Sequence, residues 1–272
     1  MNRLSRGAVL ALAALASAAS LVAGHDLFIK MDSYFLPPDT PVKIPIVNGT
    51  FMQSENSITT DRVTDASVVH QGQRRVVGTA DWSAETDTTY LGLRTGAAGT
   101  YVVGVSTLPR QLGLDAGDFN QYLASDGVID VLKQRALDKA LDQGAWEQYS
   151  KHVKAVFQVG DRRTGGLDVA LGYPAELIPM TNPYELEIGG EMAVRALVDG
   201  RTVAGQLVIA GGDGGGHGAI PEREARTDAQ GVARFRLDRP GRWYVKFINM
   251  VPTEAEGLDY ESKWATLTFE IR

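Results

Sequence analysis

The residue with the clearest chemical potential is His25, in the segment AGHDLFIK, because it directly follows a stretch with the layout of a secretory signal peptide. That stretch has two arginines, a short alanine-rich apolar run and then small residues. Val22 and Gly24 are the small or slim side chains that signal peptidase requires three residues and one residue before its cut. We therefore expect cleavage between Gly24 and His25, with a cut after Ala19 as the alternative.

A histidine at a free N-terminus can bind a metal ion through two nitrogens, the α-amine and the ring nitrogen nearest the backbone. Such a chelate suits copper(II) or nickel(II), which favour tetragonal nitrogen and oxygen donors. The chain contains no cysteine, so thiolate sites and disulfides are excluded, and any metal must be held by nitrogen and oxygen. The alternative interpretation is that His25 is merely the first residue of an edge strand.

Only three other histidines could supply a further nitrogen ligand. His217 lies in a glycine-rich loop, where ordering the backbone costs about 1–2 kcal/mol per residue. His70 lies beside two arginines, which disfavour a bound cation. His152 falls in a segment predicted to be helical, and we predict that it is the second metal ligand, with a solvated surface histidine as the alternative.

Carboxylates are the remaining ligands, and the nearest ones in sequence have competing interpretations. Glu55 and two aspartates surround Arg62, and an acid beside an arginine more often forms an ion pair than a metal site. Asp26 follows His25 on a predicted strand, where neighbouring side chains point to opposite faces. We therefore expect neither Glu55 nor Asp26 to share an ion with the His25 ring.

Composition excludes several classes of function. The chain has 27 basic and 33 acidic residues, and removing Arg3 and Arg6 with the signal leaves 27 − 2 = 25 basic residues and a net charge of −8. Nucleic acid is an unsuitable partner, since phosphate binding needs a basic face. Beyond the signal, no apolar run approaches the roughly 18 residues that span a bilayer. No nucleophile-elbow or zinc-helix motif occurs, so we expect a soluble periplasmic protein that is not an enzyme.

The hydrophobic pattern predicts a mainly β protein with two sandwich-like, immunoglobulin-like β units and a helical insertion. The predicted organisation is a signal peptide at 1–24, an N-terminal β domain at 25–184 with the helical insertion at about 116–157, and a C-terminal immunoglobulin-like domain at 185–272. The helical stretch carries an apolar stripe that we expect to pack against the N-terminal β unit. Its members are Leu132, Leu137, Leu141, Trp146, Val153 and Phe157.

Segments spread through the chain, among them HDLFIK, NGTFMQSENSITTDRVTD, YSKHVKAVFQVGD and RTDAQGVARFRLDRPGRWYVKF, carry a family resemblance. Together they make the chain resemble a bacterial periplasmic domain-of-unknown-function family associated with nickel uptake. The resemblance implies a transition-metal-binding accessory protein, with a membrane metal importer as its partner. The alternative is a metal-free β-sandwich binding module that recognises a protein or glycan, which exposed aromatic patches would favour. The sequence leaves the metal, its further ligand and the oligomeric state open.

Overall fold

The computed structural model describes residues 25–272, so the predicted signal peptide lies outside the described residues. Residues 25–272 form 18 strands and two α-helices, and neither helix is long and apolar enough to cross a membrane. In chain order the elements are β1 (Asp26–Ile29), β2 (Phe35–Leu36), β3 (Pro41–Gly49), β4 (Val63–His70), β5 (Gln73–Val76), β6 (Trp82–Glu85), β7 (Thr88–Arg94), β8 (Gly99–Thr107), β9 (Arg110–Leu114), α1 (Ala116–Ser125), α2 (Ile129–Leu137), β10 (Ala145–Val159), β11 (Ala175–Pro179), β12 (Glu191–Val198), β13 (Arg201–Thr202), β14 (Leu207–Asp213), β15 (Ala219–Arg226), β16 (Val232–Arg236), β17 (Gly241–Pro252) and β18 (Tyr260–Ile271).

The strands of the described residues assemble into three sheets. The central sheet has ten strands, in the order β15-β14-β17-β18-β10-β8-β4-β5, with β2 and β9 also paired to β10. The first sheet has four strands in the order β1-β3-β7-β6. The third sheet contains β11, β12 and β13, with β16 paired to β12.

Both faces of the central sheet are buried, as the alternation along β10 shows. Val153, Ala155 and Phe157 pack into the core shared with the first sheet. Val156 points the other way, into the core shared with the third sheet. Because successive side chains of a strand face opposite sides, one strand serves two cores. The predicted fold class, mainly β with sheets packed face to face, is confirmed.

The central sheet combines strands from both sides of the predicted boundary at residues 184/185. Its middle is the parallel pair β10 and β18, which runs from Glu147 opposite Tyr260 to Ala155 opposite Thr268. Parallel pairing requires a long connection between the two strands, and here that connection includes the whole third sheet. The division into domains 25–184 and 185–272 stays a prediction.

The helical insertion is shorter than predicted. The helices end at Leu137, and residues 145–159 form the strand β10, so the prediction of helix up to about residue 157 is wrong there. Alanine, lysine and glutamine favour a helix in this segment, but Tyr149 and the valines that follow it suit a strand buried on both faces. Pairing with neighbours along both edges of β10 therefore outweighs intrinsic helix propensity.

The two helices also pack against a different surface from the predicted one. Phe119 of α1 lies in a core with Met250 of β17 and Trp264 of β18, at the end of the central sheet that the C-terminal strands form. Part of the predicted apolar stripe faces solvent: Leu137 is 76% exposed and Trp146 is 54% exposed. The prediction that the stripe is covered by the N-terminal β unit is therefore wrong for Leu137 and Trp146, whereas Val153 and Phe157 do pack into the core shared with the first sheet, as part of β10.

Candidate functional site around His25

The start of β1 and the loop after β3 bring His25 next to two polar side chains. β1 pairs with β3, so that Asp26 lies opposite Gly49 at the end of β3. The chain then turns back tightly, and the Glu55 backbone N–H donates to the Asn48 carbonyl at 2.9 Å. A Cβ atom at Gly49 would lie 2.5 Å from a backbone oxygen of this loop, so the close turn requires glycine. Glu55 is thereby held beside His25, about 30 residues earlier in the chain.

The hydrogen bonds of the His25 ring define its tautomer. Nε2 lies 3.0 Å from Oε2 of Glu55, and Nδ1 lies 3.3 Å from Nδ2 of Asn56. A carboxylate can only accept a hydrogen bond, so Nε2 carries the proton and the Nδ1 of the neutral ring keeps its lone pair. The Asn56 amide donates to that lone pair. Nδ1 is the nitrogen nearest the backbone, so the lone pair is on the atom that a chelate with the N-terminal amine requires.

A buried ionic cluster, which we call the Asp26 cluster, lies directly beneath His25; it comprises Asp26, Asp126, Lys151 and Lys246. Nζ of Lys246 lies 2.5 Å from Oδ2 of Asp26 and 3.6 Å from Oδ1 of Asp126. The Lys151 ammonium donates a hydrogen bond to the backbone carbonyl of His25. The carboxylates and lysines come from four separate parts of the chain, so only the tertiary fold assembles them.

Burial dominates the electrostatics of the Asp26 cluster. It raises the pKa of Asp126 to about 7, and the charge of Asp26 adds to this rise. Burial also lowers the pKa of Lys151 to about 8. Burial alone would lower the pKa of Lys246, but the two neighbouring carboxylates outweigh it and the net shift is upward. Oδ1 of Asp26 and Oδ2 of Asp126 are buried, and neither accepts a hydrogen bond from any described residue.

His152 does not belong to this site. It lies on β10 rather than on a helix, and it points to the side of the central sheet opposite its neighbour Lys151. Its ring is buried between two serines, with Nδ1 2.9 Å from Oγ of Ser106 and Nε2 3.0 Å from Oγ of Ser150. Burial lowers the pKa of His152 to about 3. The structure therefore does not bring His25 and His152 together, and the predicted pair has no geometric support.

The remaining histidines also lie away from His25. His70 stacks on Tyr101, with 4.1 Å between ring centroids, and His217 lies in the exposed glycine loop between β14 and β15. Within residues 25–272, no three histidine or carboxylate side chains are grouped so that they could hold a metal ion. A metal site at His25 therefore depends on the N-terminal amine as a ligand. The expected ion pair between Glu55 and Arg62 is absent from the described residues, and Glu55 contacts His25 instead.

The fold and site define a mainly β protein of packed sheets with a surface histidine over a buried ionic cluster. The chain belongs to the family described as Domain of unknown function (DUF4198), whose model matches residues 22–250. A comparison with curated proteins gives no match.

Among solved structures, the D0-D1 domain of intimin is 9% identical, with a TM-score of 0.21 over 90% of this chain and 97% of that chain. Salmonella alpha-2-macroglobulin is 12% identical, with a TM-score of 0.25 over 90% of this chain and 15% of that chain. Trypsin-activated alpha-2-macroglobulin from Escherichia coli is 10% identical, with a TM-score of 0.22 over 91% of this chain and 16% of that chain. The chain thus spans a small part of the macroglobulins.

Proposed function

We propose that the mature protein begins at His25 and binds one nickel(II) or copper(II) ion through its α-amine and the Nδ1 of His25. The observation that carries this proposal is the contact between Nε2 of His25 and Glu55 at 3.0 Å, because it places the proton on Nε2 and leaves Nδ1 unprotonated, so that a metal ion need only displace the Asn56 amide from Nδ1. A carboxylate that holds the far ring nitrogen of a metal-binding histidine orients the ring and increases its basicity. Glu55 is placed to do this.

The donor set around His25 suits a small, exchangeable ion site. The His25 side chain is 31% exposed and that of Glu55 is 42% exposed, so an ion can reach the ring from solvent. The Asn56 amide can rotate to present its oxygen as a third donor, since it already contacts Nδ1. Two nitrogens with oxygen donors match the preference of both metals, and copper(II) binds such sites more tightly than nickel(II) in vitro. We further propose a periplasmic accessory role in nickel uptake, with a membrane importer as the partner.

The position of the N-terminus is tested first. Mass spectrometry of the protein recovered from the periplasm is expected to give a chain that begins at His25. A chain that begins at Ser20 or Gly24 would contradict the proposal, because the amine would then be separated from the imidazole.

The chelate is tested by calorimetric titration of nickel(II) and copper(II) into four proteins. These are the chain beginning at His25, the same chain with one extra N-terminal residue, Glu55→Gln and His152→Gln. We expect binding of one ion, a loss of at least about 100-fold on extension, and a loss of about 10- to 100-fold for Glu55→Gln. His152→Gln is the control and should bind as the unaltered chain does. Equal affinity of the extended chain would overturn the chelate.

Acid should weaken the binding through two protons. In model peptides α-amines titrate near about 7.7–8.0 and imidazoles near about 6.5, and both groups must be unprotonated to coordinate. We expect affinity to fall at least about tenfold between pH 7.5 and pH 6.0. A site held by carboxylates alone would keep its affinity over that range.

A further inference from the structure

A groove lies at the opposite end of the first sheet from His25. β3 runs from Pro41 to Gly49; Gly49 is at the His25 end, and Pro41 lines the groove. The groove has a volume of about 1030 Å³ and separates β3 and β7 of the first sheet from β4 and β5 at the edge of the central sheet. Its volume is that of a site for a sizeable organic ligand.

The base of the groove is apolar. Val68, Val77, Tyr101 and Phe157 line it, and all four belong to the core between the first and central sheets. The His70 ring stacks on Tyr101 at an interplanar angle of 7° and extends this flat surface. Burial lowers the pKa of His70, so the ring adds area to the groove rather than a permanent charge.

The rim of the groove carries arginines on both sides. The Arg75 guanidinium, on β5, forms no hydrogen bond or ion pair within residues 25–272. Arg94, on β7, donates to a backbone carbonyl rather than to a carboxylate. Lys43 is neutralised by Glu85 at 2.5 Å, which leaves Asp81 as the acid lining the groove.

The basic character continues beyond this rim. A second hollow of about 490 Å³ adjoins the groove through Gln71 and is lined by Arg162 and Arg163. Residues 25–272 carry a net charge of −8, from 25 basic and 33 acidic residues. Because the protein as a whole is acidic, arginines concentrated at one apolar groove make that groove locally positive and suited to a negatively charged ligand.

We infer that this groove binds an amphipathic organic anion, with its apolar body on the Tyr101 surface and its acidic group between Arg75 and Arg94. Guanidinium groups pair with carboxylate, sulfonate or phosphate groups in bidentate geometry, and the apolar base removes the body of the ligand from water. This inference does not rest on the metal site, which lies at the other end of β3.

The test uses two fluorescent probes with similar aromatic bodies and different charge. Anilinonaphthalene sulfonate is the anion, and N-phenylnaphthylamine is its uncharged counterpart. Each is titrated into the chain beginning at His25 and into Arg75→Gln, Arg94→Gln and Arg201→Gln. Arg201 is an exposed arginine of the third sheet and serves as the control. Circular dichroism checks that each variant is folded.

We expect one saturable site for the anion, about tenfold weaker in Arg75→Gln and Arg94→Gln and unchanged in Arg201→Gln. The uncharged probe should change less than about twofold in all three variants. Competition with dodecanoate and with naphthoate then distinguishes an acyl from an aromatic body, and displacement by either supports the inference. Displacement by neither, the absence of saturable anion binding, or unchanged anion affinity in both rim variants overturns it.

Discussion

Two buried lysines on β10 have opposite environments. Lys154 faces the third sheet and pairs with Glu176, and both side chains are at most 2% exposed. Both Glu176 oxygens also accept backbone N–H groups, from Leu171, Gly172 and Tyr173. The Lys154 ammonium and both Glu176 oxygens thus have hydrogen-bond partners. A buried pair in which both charged groups are hydrogen-bonded favours one arrangement of the strands around it.

Lys151, three residues earlier, faces the first sheet and the Asp26 cluster. Here two carboxylates share Lys246, and one oxygen of each carboxylate accepts no hydrogen bond from the described residues. The pKa of Asp126 consequently rises to about 7, so its charge is sensitive to small changes in its surroundings. The Lys154 pair therefore has a structural role, whereas the charge of the Asp26 cluster beneath His25 responds to pH and to nearby groups.

The largest effect should come from breaking the Lys154 pair. Glu176→Gln leaves a buried ammonium without its counter-charge, and we expect a loss of about 3–5 kcal/mol in the free energy of unfolding. Urea denaturation measures it. Asp199→Asn is the control, because Asp199 lies 2.7 Å from Lys263 but its side chain is 61% exposed, and its loss should be below about 1 kcal/mol. Equal losses of stability in Glu176→Gln and Asp199→Asn would contradict the distinction between buried and exposed ion pairs.

The next effect concerns His152, on the same face as Lys154. Its pKa is about 3 in the folded chain, against about 6.5 for an unperturbed histidine, so below pH 6.5 the unfolded chain binds a proton that the folded chain does not. Stability should therefore be lost as pH falls, by about 2–3 kcal/mol between pH 6.5 and 4.5 from this residue. His152→Gln should show a shallower decline in unfolding free energy over that range. Parallel curves for the two proteins would contradict a neutral, buried His152.

The smallest effect belongs to the Asp26 cluster, for which stability falls as pH rises, the reverse of the pH dependence expected for His152. The pKa of Asp126 rises from 3.8 to about 7 on folding, so the folded chain retains a proton that the unfolded chain has released, and stability falls as pH rises through this window. The stability of Asp126→Asn relative to the unaltered chain should therefore increase by about 1 kcal/mol between pH 6 and pH 8.

Asp130→Asn is the matched control for Asp126→Asn. Asp130 is also an acid of the helical insertion, but its pKa is lowered by its hydrogen bond to Arg226. It should bring no gain at either pH. A gain in Asp130→Asn equal to that in Asp126→Asn would mean that general charge reduction, and not the cluster, is responsible.

Local patterns in the sequence predicted the β segments outside β10 and the two helices of the insertion, because alternation and helix-forming residues act over short distances. They failed at β10, where pairing partners about 50 to 110 residues away decide the conformation. The same limit applies to the site. His25 could be identified from its position after the predicted signal peptide, whereas Glu55 reaches it only through the tight turn at Gly49, and Asp126 and Lys246 come from distant elements.

The position of β18 in the middle of the central sheet affects the order in which the parts of the chain can fold. The hydroxyl of Thr266 on β18 donates to the carbonyl of Leu27 on β1, and Thr268 does the same for Ile29. β1, which directly follows His25, therefore packs on β18. Contacts between residues so far apart in sequence form slowly and late. The surface beneath β1, although β1 itself is encoded near the beginning, is completed only when residues 260–271 have joined the sheet.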